Sequence, residues 1–552
     1  MRRTTVRRAG IRLLLLMGVL AGASLMGASG CASKDEARPS SPVDAATPTA
    51  VVKLSPLWSD AGKPFTRRAL GHNAVWSRGG LGLWDESRGA PRADVLSLVK
   101  ALSPAVLRFP GGTRAMRYHF DEAIGPKAAR RPQCDPFKGT TDATGYGLDE
   151  FLPLARQLAA EVTLVAPWVD GTPEETAALI AYVNADASST VSIGVDANGK
   201  DWGTAGQWGA LRATNGHAEP WGVGFLEIGN EPYLDLRAGP TSGSCGRAGQ
   251  FKQDERWVMG AAIPTTARDH AAQVGKTGAL VHAIDPKIMI GASAYSSFDG
   301  TSDAAKEIGE LDRKLGTAEA WNGRLVIDAG KGFDFFVLHP YDFSGNDSRL
   351  HLAERLRKTV RDLRALAPDK GIAITEFGFL LGGDTLLNAV VSADFVRVAT
   401  EEQLVMSLRH ILIEDDATGP FANSAAILGP GHETQPGYHV MRLLASALQT
   451  TSVPASLPID DVVALATRDA TGGTLGLALI DRRPDTGDER PVVVDVTLPE
   501  GSFHGTVSTL TGDAPTAAGS DVKVSEAPIE AHGSARLAVP MHGLAIVLLK
   551  KQ

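Results

Sequence analysis

Two glutamates that each end an apolar run have the clearest chemical potential in this sequence. Glu231 ends the run that begins at Phe225, and Glu376 ends the run that begins at Gly371. Such runs are typical of buried strands in a parallel sheet, and in a barrel the C-terminal strand ends carry the catalytic groups. Two carboxylates facing one cleft suit glycosidic bond cleavage, because one protonates the leaving oxygen while the other attacks or activates water. The sequence therefore predicts a hydrolytic pair.

Other polar side chains follow predicted strands and are expected beside the two glutamates. Arg108 can hold a carboxylate ionised through a forked hydrogen bond. Asn230 directly precedes Glu231, and its amide can bond a sugar hydroxyl. His339 and Tyr341 end another apolar run and can orient a carboxylate or hold a sugar. These residue types at successive strand ends favour one substrate site.

Each of these residues also has a structural interpretation when it is considered alone. An isolated His339 is more often a hydrogen-bonded core histidine, and an isolated Arg108 is more often part of an ion pair, for which Glu227 is a candidate partner. Trp168 offers an aromatic face to a sugar, although it and Trp76 are more often core residues. Their joint placement at one end of the strands favours the functional interpretation. The predicted substrate-binding set is Arg108, Asn230, His339, Tyr341, Asn73 and Trp168.

Short apolar runs alternate with helical stretches from about residue 66 onward, which is the pattern of βαβ units around a parallel sheet. The predicted strands are 69–74, 106–109, 162–167, 224–229, 288–292, 335–339, 372–376 and 410–413. This rhythm predicts a (β/α)8 TIM barrel over residues 63–449. Residues 450–552 change to short strands separated by turn clusters, which predicts a C-terminal antiparallel β-sandwich. The predicted fold class is therefore α/β.

The N-terminus has the composition of a targeting segment. Arginines among the first twelve residues precede an apolar stretch from Leu13 to Met26, and small residues then lead to Cys31. This arrangement resembles a bacterial lipoprotein signal over residues 1–31, in which Cys31 would become the lipidated first residue. A plain secretory signal and a single membrane anchor are the alternatives. Residues 32–62 are predicted as a flexible linker, within which 49–57 could add a strand to the sandwich. We therefore expect a cell-envelope location, lipid-anchored and periplasmic or surface-exposed, or a secreted protein.

Composition and absent motifs narrow the class of protein. A chain of 552 residues predicts more than one domain, and a formal net charge of −8 argues against a nucleic-acid partner. Cys134 and Cys245 could form a disulfide in an oxidising compartment, and with no histidine cluster nearby a zinc site is disfavoured. The chain has no Gly-x-Ser-x-Gly, His-Glu-x-x-His or Gly-x-x-x-x-Gly-Lys-Ser/Thr motif, which disfavours serine-hydrolase, zinc-hydrolase and nucleotide-dependent chemistry. We predict a carbohydrate substrate, no metal, no cofactor and membrane contact through a lipid anchor only; the oligomeric state is left open.

At these residues the chain resembles the retaining glycoside hydrolases of the (β/α)8 clan A. Asn230 and Glu231 match the clan's acid/base motif on strand four, and Glu376 matches its nucleophile on strand seven. Arg108 and the pair His339 and Tyr341 match its arginine on strand two and its His-x-Tyr on strand six. Within the clan, segments 107–112, 171–177 and 215–221 are most similar to the α-L-arabinofuranosidase family, glycoside hydrolase family 51.

The resemblance implies double displacement, with Glu231 as acid/base, Glu376 as nucleophile and roughly 5–5.5 Å between their carboxyl groups. Two positions depart from the family pattern. Gly71, His72 and Asn73 stand where the family has a substrate-binding glutamate, and the clan's strand-eight tryptophan is missing. These departures keep three alternatives open: a β-xylosidase, an endo-β-glycanase of the same clan, or a non-catalytic carbohydrate-binding lipoprotein.

Overall fold

The structure, a computed structural model, describes residues 50–135, 140–168, 171–232, 267–295, 321–341, 349–378, 383–414, 426–484 and 490–552. The predicted signal segment with its lipidated residue Cys31, and Cys245 of the predicted disulfide, lie outside these residues. Within the described ranges, every helix is too short or too polar to cross a membrane. Cys134 itself is buried.

The strands are numbered in chain order: β1 Ala50–Leu54, β2 Lys63–Pro64, β3 Gly71–Asn73, β4 Trp84–Asp85, β5 Ala90–Pro91, β6 Val106–Phe109, β7 Gln133–Asp135, β8 Thr140–Asp142, β9 Glu161–Ala166, β10 Phe225–Ile228, β11 Met289–Ser293, β12 Phe335–Leu338, β13 Gly371–Phe377, β14 Ser407–Arg409, β15 Thr451–Val453, β16 Val462–Arg468, β17 Thr474–Asp481, β18 Val492–Thr511, β19 Lys523–Val539 and β20 Leu544–Lys551.

The α-helices are α1 Ala93–Leu102, α2 Leu148–Gln157, α3 Pro173–Asn184, α4 Ala205–Thr214, α5 Ala267–Ile284, α6 Trp321–Arg324, α7 Leu352–Leu366, α8 Leu386–Glu401 and α9 Pro436–Ala447. Short 3-10 segments span Arg67–Leu70, Thr113–Arg117, Phe120–Glu122, Lys127–Ala129, Gly330–Gly332 and Gly519–Asp521, and a π-helical turn spans Leu325–Ala329. The segment Ser77–Gly82 is a left-handed turn, with positive φ from Arg78 through Leu81.

Eight parallel strands close into a barrel in the order β3, β6, β9, β10, β11, β12, β13, β14. The barrel core is apolar because alternate side chains of each strand point inward. Val106, Phe225, Val337, Ala373 and Leu408, which come from different strands, belong to one buried cluster. Two positions further along these strands the side chains are polar, and this places a polar layer directly above the apolar one.

The eighth barrel strand was predicted at 410–413, and this prediction is wrong, because β14 spans Ser407–Arg409. The apolar residues Ile411, Leu412 and Ile413 are buried, which explains the prediction, but they form a loop rather than a barrel strand. The Leu412 amide donates to the Asn73 carbonyl at 2.9 Å, and Ile413 makes an isolated bridge to Leu428. The correction moves His410 from the start of a strand to the end of one.

The C-terminal region forms an eight-stranded sheet in the order β1, β18, β20, β17, β16, β15, β2, with β19 paired to β18. Its pairs are antiparallel apart from β1, which runs parallel to β18. Strand β18 is continuous from Val492 to Thr511 and passes through a register shift between Thr497 and Ser502, so this part of the sheet is longer than the short strands expected for residues 450–552. The predicted class, a TIM barrel followed by a C-terminal β-sandwich, is confirmed.

Candidate active site

Arg108 lies at the end of β6 and has a fully buried side chain. Its Nε donates to both carboxylate oxygens of Glu227 at 3.0 Å. Its Nη1 donates to Glu376 Oε1 at 2.6 Å and to Asn73 Oδ1 at 2.8 Å. Its Nη2 donates to Asn230 Oδ1 at 2.8 Å. One guanidinium on β6 therefore fixes four side chains from three other barrel strands, and Glu227 is the ion-pair partner that its position deeper in the strand indicated.

Glu376 is held as an anion by the groups around it. Tyr341 donates its hydroxyl to Oε2 at 2.9 Å, and the Nδ1 atoms of His410 and His339 lie 3.6 and 3.8 Å from the same oxygen. Burial by itself would raise the pKa of this carboxyl, but the positive charge that His339, His410 and Arg108 bring near it outweighs burial and holds the pKa well below its usual range. Burial and the neighbouring carboxylates raise the pKa of Tyr341, so its hydroxyl keeps its proton.

Glu231 lies just beyond β10, where the chain turns sharply. Gly229 and Glu231 have φ of +77° and +45°, so the backbone leaves its extended path at this point. The Glu231 side chain is 14% exposed, against 5% for Glu376, and its Oε1 lies 3.1 Å from His339 Nδ1. Asn230 Nδ2 donates to Glu231 Oε2 at 3.4 Å. Glu231 is thus the more accessible of the two acids.

The two glutamates face each other across a narrow gap. One oxygen of Glu231, one oxygen of Glu376 and one ring nitrogen of His339 all lie within 4.8 Å of one another. Among the described residues, these three side chains are also close enough to hold a metal ion. The Arg108 guanidinium already binds Glu376, however, and a cation so close to the gap disfavours a second one.

His339 connects the two acids to the buried part of the network. Its Nε2 lies 3.0 Å from Thr375 Oγ1, and Thr375 Oγ1 donates to Glu227 Oε2 at 3.1 Å. Burial by itself would lower the pKa of His339, but the negative charges of Glu376 and Glu231 raise it above its ordinary value. The charge of the imidazole is therefore coupled to the charges of the two acids.

Most of the residues predicted for the site lie together, and Trp168 is placed differently from the others. Arg108, Asn73, Asn230, His339 and Tyr341 surround the two glutamates. Trp168 is nearly fully buried and packs against Gly229. Its ring centroid lies 5.1 Å from that of His270, in an edge-on arrangement. This environment is that of a core side chain, and its predicted contact with substrate stays a prediction.

Two further residues lie beside Glu376: His410, which was not among the predicted site residues, and Gly112, which belongs to the segment 107–112 that carries the family resemblance. His410 follows β14 and lies at the gap. A Cβ at Gly112 would sit 2.5 Å from Glu376 Oε1, so only glycine leaves room for that carboxylate. The signal for His410 was the alternation Met406, Leu408, His410, since the first two residues lie in the buried cluster of the barrel.

Part of this chain is similar in sequence to known α-L-arabinofuranosidases. The family model described as Alpha-L-arabinofuranosidase 1 domain matches residues 98–252. The intracellular exo-alpha-L-arabinofuranosidase of Bacteroides ovatus is 33% identical over 159 residues, which cover 28% of this chain and 28% of that protein. The intracellular exo-alpha-(1->5)-L-arabinofuranosidase 1 of Bacillus subtilis is 22% identical over 259 residues, 47% of this chain and 40% of that protein. The matches thus span less than half of these relatives.

The chain resembles the α-L-arabinofuranosidases of glycoside hydrolase family 51. In fold, the crystal structure of the Thermotoga maritima α-L-arabinofuranosidase in complex with arabinose matches with a TM-score of 0.70 and 18% identity, covering 90% of this chain and 100% of that one. The family 51 enzyme of Thermotoga petrophila matches with a TM-score of 0.69 and 18% identity, covering 90% and 99%. At such low identity these two structures support the fold alone.

The comparison corrects the predicted location. The relatives from Bacteroides ovatus, Halalkalibacterium halodurans and Bacillus subtilis are all named as intracellular enzymes, which contradicts the expected lipid-anchored, periplasmic, surface-exposed or secreted location. That expectation depended on the basic and apolar composition of residues 1–31 alone.

Proposed function

We propose that this protein is a retaining glycoside hydrolase that cleaves α-L-arabinofuranosidic bonds by double displacement. The observation that carries the proposal is the short distance between Glu231 and Glu376, whose nearest oxygens are within 4.8 Å. Retaining enzymes have carboxyl groups about 5–5.5 Å apart, whereas inverting enzymes leave about 6.5–9.5 Å for a water molecule. This short distance supports the retaining arrangement over the inverting one.

Glu376 is the proposed nucleophile. It must be ionised to attack the anomeric carbon, and its lowered pKa and its hydrogen bonds from Arg108 and Tyr341 support this role. The same bonds hold the carboxylate in one orientation. The attack forms a bond between a Glu376 oxygen and the anomeric carbon while the bond to the leaving oxygen breaks.

Glu231 is the proposed acid/base. Its greater exposure lets it reach the leaving oxygen, to which it gives its proton in the first step. In the second step Glu231 takes a proton from water, and that water releases the sugar from Glu376. His339 Nδ1 lies 3.1 Å from Glu231 Oε1 and can influence where this proton resides.

The two asparagines around Arg108 have different proposed roles. Both accept from the guanidinium through Oδ1, so each amide nitrogen points the other way. Asn230 Nδ2 lies at the gap beside Glu231 and is placed to bind a sugar hydroxyl. Asn73 Nδ2 instead donates to the Thr375 carbonyl at 2.8 Å, which suits a positioning role.

The test is covalent labelling with an epoxide-bearing arabinofuranose analogue, followed by mass spectrometry of the peptide that carries residue 376. We expect stoichiometric labelling of the wild-type protein and none of Glu376→Gln. Glu161→Gln is a matched control, because Glu161 begins β9 at the opposite end of the barrel and is exposed. An unlabelled wild-type protein that still binds arabinan would instead favour a carbohydrate-binding protein without activity.

A panel of nitrophenyl glycosides then tests the sugar. Turnover of the α-L-arabinofuranoside above all others supports the proposal. Preferred turnover of a β-xyloside, or of a soluble β-glucan, would move the substrate to another class while leaving the two-acid mechanism intact. Methanolysis products examined by NMR report the stereochemistry, and a product of inverted configuration would contradict the retaining mechanism.

A further inference from the structure

A continuous chain of contacts runs from the buried ion pair to the proposed acid/base. Arg108 binds Glu227, Glu227 accepts from the Thr375 hydroxyl at 3.1 Å, and Thr375 Oγ1 lies 3.0 Å from His339 Nε2. On the other side of the ring, His339 Nδ1 lies 3.1 Å from Glu231 Oε1. Thr375 is fully buried and directly precedes the proposed nucleophile in β13.

The number of hydrogen atoms that each group can donate determines which atom is the donor and which is the acceptor in these bonds. A hydroxyl has one hydrogen to donate, and a carboxylate paired with an arginine can only accept. The Thr375 hydrogen is therefore used on Glu227, and the same oxygen can only accept from His339. The His339 proton that stays in place is thus the one on Nε2, and Nδ1 is the ring atom at which a proton is gained or lost.

We propose that Thr375 is a positioning residue that fixes the Nε2–H tautomer of His339 and so makes His339 Nδ1 share a proton with Glu231. The inference rests on the proposed role of Glu231 and deepens it. The proton that Glu231 uses can then reside on its Oε1 or on His339 Nδ1, which lies 3.1 Å away. In the first step that proton passes to the leaving oxygen as the bond to the sugar breaks, and in the second step it is restored from water.

The groups that face His339 make this sharing favourable. Glu231 from beyond β10 and Glu376 on β13 draw a proton toward Nδ1, whereas Arg108 on β6 opposes it. Tyr341, two residues beyond His339, and His410 after β14 complete the surroundings, and burial lowers the pKa of His410. Because Nε2 is the only protonated nitrogen of the neutral ring, Nδ1 has a free lone pair that can accept the Glu231 proton and return it.

The first experiment measures the tautomer directly and requires no catalytic activity. Long-range ¹H–¹⁵N spectra are recorded on the full chain labelled with ¹⁵N-histidine, with the His339 signals assigned by their loss in His339→Gln. At a pH high enough for His339 to be neutral, we expect the proton on Nε2 in the wild type. A wild-type signal with the proton on Nδ1 would overturn the proposal, even if neither Thr375 variant folds.

The second experiment compares Thr375→Val, which keeps the shape but loses the hydroxyl, with Thr375→Ser, which keeps the hydroxyl. In the valine variant Nε2 loses its acceptor, and we expect the neutral ring to move its proton to Nδ1. An Nδ1–H that donates to Glu231 stabilises the ionised acid, so the basic limb of the kcat/KM profile should move to lower pH. Serine should restore the wild-type limb and tautomer.

Substrates with different leaving groups distinguish a loss of proton donation from a general distortion of the site. General acid catalysis contributes about 10²–10⁴-fold, mainly for leaving groups that need the proton. We expect Thr375→Val to lower kcat/KM on a methoxyphenyl arabinofuranoside by about tenfold or more, and on a dinitrophenyl one by less than about threefold. Equal losses on both substrates, or a serine variant that behaves like the valine variant, would contradict the proposed positioning role of Thr375. If wild-type activity is absent on all glycosides, the proposed function fails while the tautomer result still stands.

Discussion

Among the buried arginine–carboxylate groups in the described part of the chain, two have similar chemistry but different surroundings. The site cluster consists of Arg108, Glu227, Glu376 and the residues bonded to them. The interface cluster consists of Asp394 on α8 with Arg397 and Arg482. Asp394 accepts from Arg397 Nε at 2.7 Å and from Arg482 Nη1 at 3.0 Å, and it is fully buried. Arg482 follows β17, so this cluster joins the barrel to the C-terminal sheet.

A buried charge does not by itself identify a functional site. In the interface cluster two arginines surround one buried aspartate, and their charges outweigh burial and lower the pKa of Asp394. In the site cluster one arginine serves two glutamates, and the third glutamate, Glu231, lies beside a histidine at a gap. What marks the site is an acid whose neighbour can change its own charge.

The largest expected effect is on activity at the site cluster. Glu376→Gln keeps the size of the side chain but removes the nucleophile, so kcat/KM on an aryl arabinofuranoside should fall on the order of 10⁴-fold or more. Steady-state kinetics with the Glu161→Gln control measures this loss. Activity within tenfold of the wild type would remove Glu376 from the mechanism.

The second effect concerns the other acid. Glu231→Gln cannot donate a proton, so the loss should be about 10²–10⁴-fold on a methoxyphenyl substrate and much smaller on a dinitrophenyl substrate. A Brønsted plot of the rate against the leaving-group pKa measures the difference. A variant that loses equally on all leaving groups would place Glu231 outside proton transfer.

At the interface cluster we expect the third effect, a large loss of stability with little loss of activity. Asp394→Asn leaves two buried arginines short of a charge partner, which should cost about 3–5 kcal/mol in the free energy of unfolding. Because the partners of Asp394 are Arg397 and Arg482 rather than residues of the site cluster, kcat/KM under folding conditions should stay within about twofold of the wild type. Urea denaturation and kinetics on one preparation check both statements. A large loss of activity with unchanged stability would show that the two clusters are coupled.

The smallest effect is in the pH dependence of stability. The pKa of Asp394 is lowered in the folded state, so its stabilising contribution is present above the ordinary carboxyl range near about pH 4 and is lost as the pH falls through the lowered value. Each titrating group changes the stability by at most about 1.4 kcal/mol per pH unit. The difference between wild type and Asp394→Asn should therefore narrow on acidification below about pH 4, as measured by urea titrations at several pH values. A difference that widens instead would contradict the assignment.

Much of the fold followed from local patterns in the sequence. The run Val106–Phe109 forms a barrel strand with the predicted bounds, and Thr172 caps α3 by accepting from the Glu175 amide, with Pro173 in the first turn. These features depend on neighbouring residues alone, since burial on both faces and helix capping are local properties. The failure at 410–413 arose because Ile411–Ile413 is apolar for a different reason, as a buried loop.

The sequence by itself determined that acids and their partners stand at the ends of apolar strands. Their orientation was decided only in the tertiary structure. By strict alternation Thr375 and Glu376 would face opposite sides of β13, yet both belong to the site network, and β13 has a register shift against β14 between Ile374 and Phe377. Likewise the positive φ of Gly229 and Glu231 turns the chain after β10. Such local departures re-aim single side chains, and they are fixed by packing between distant strands, which no run of neighbouring residues specifies.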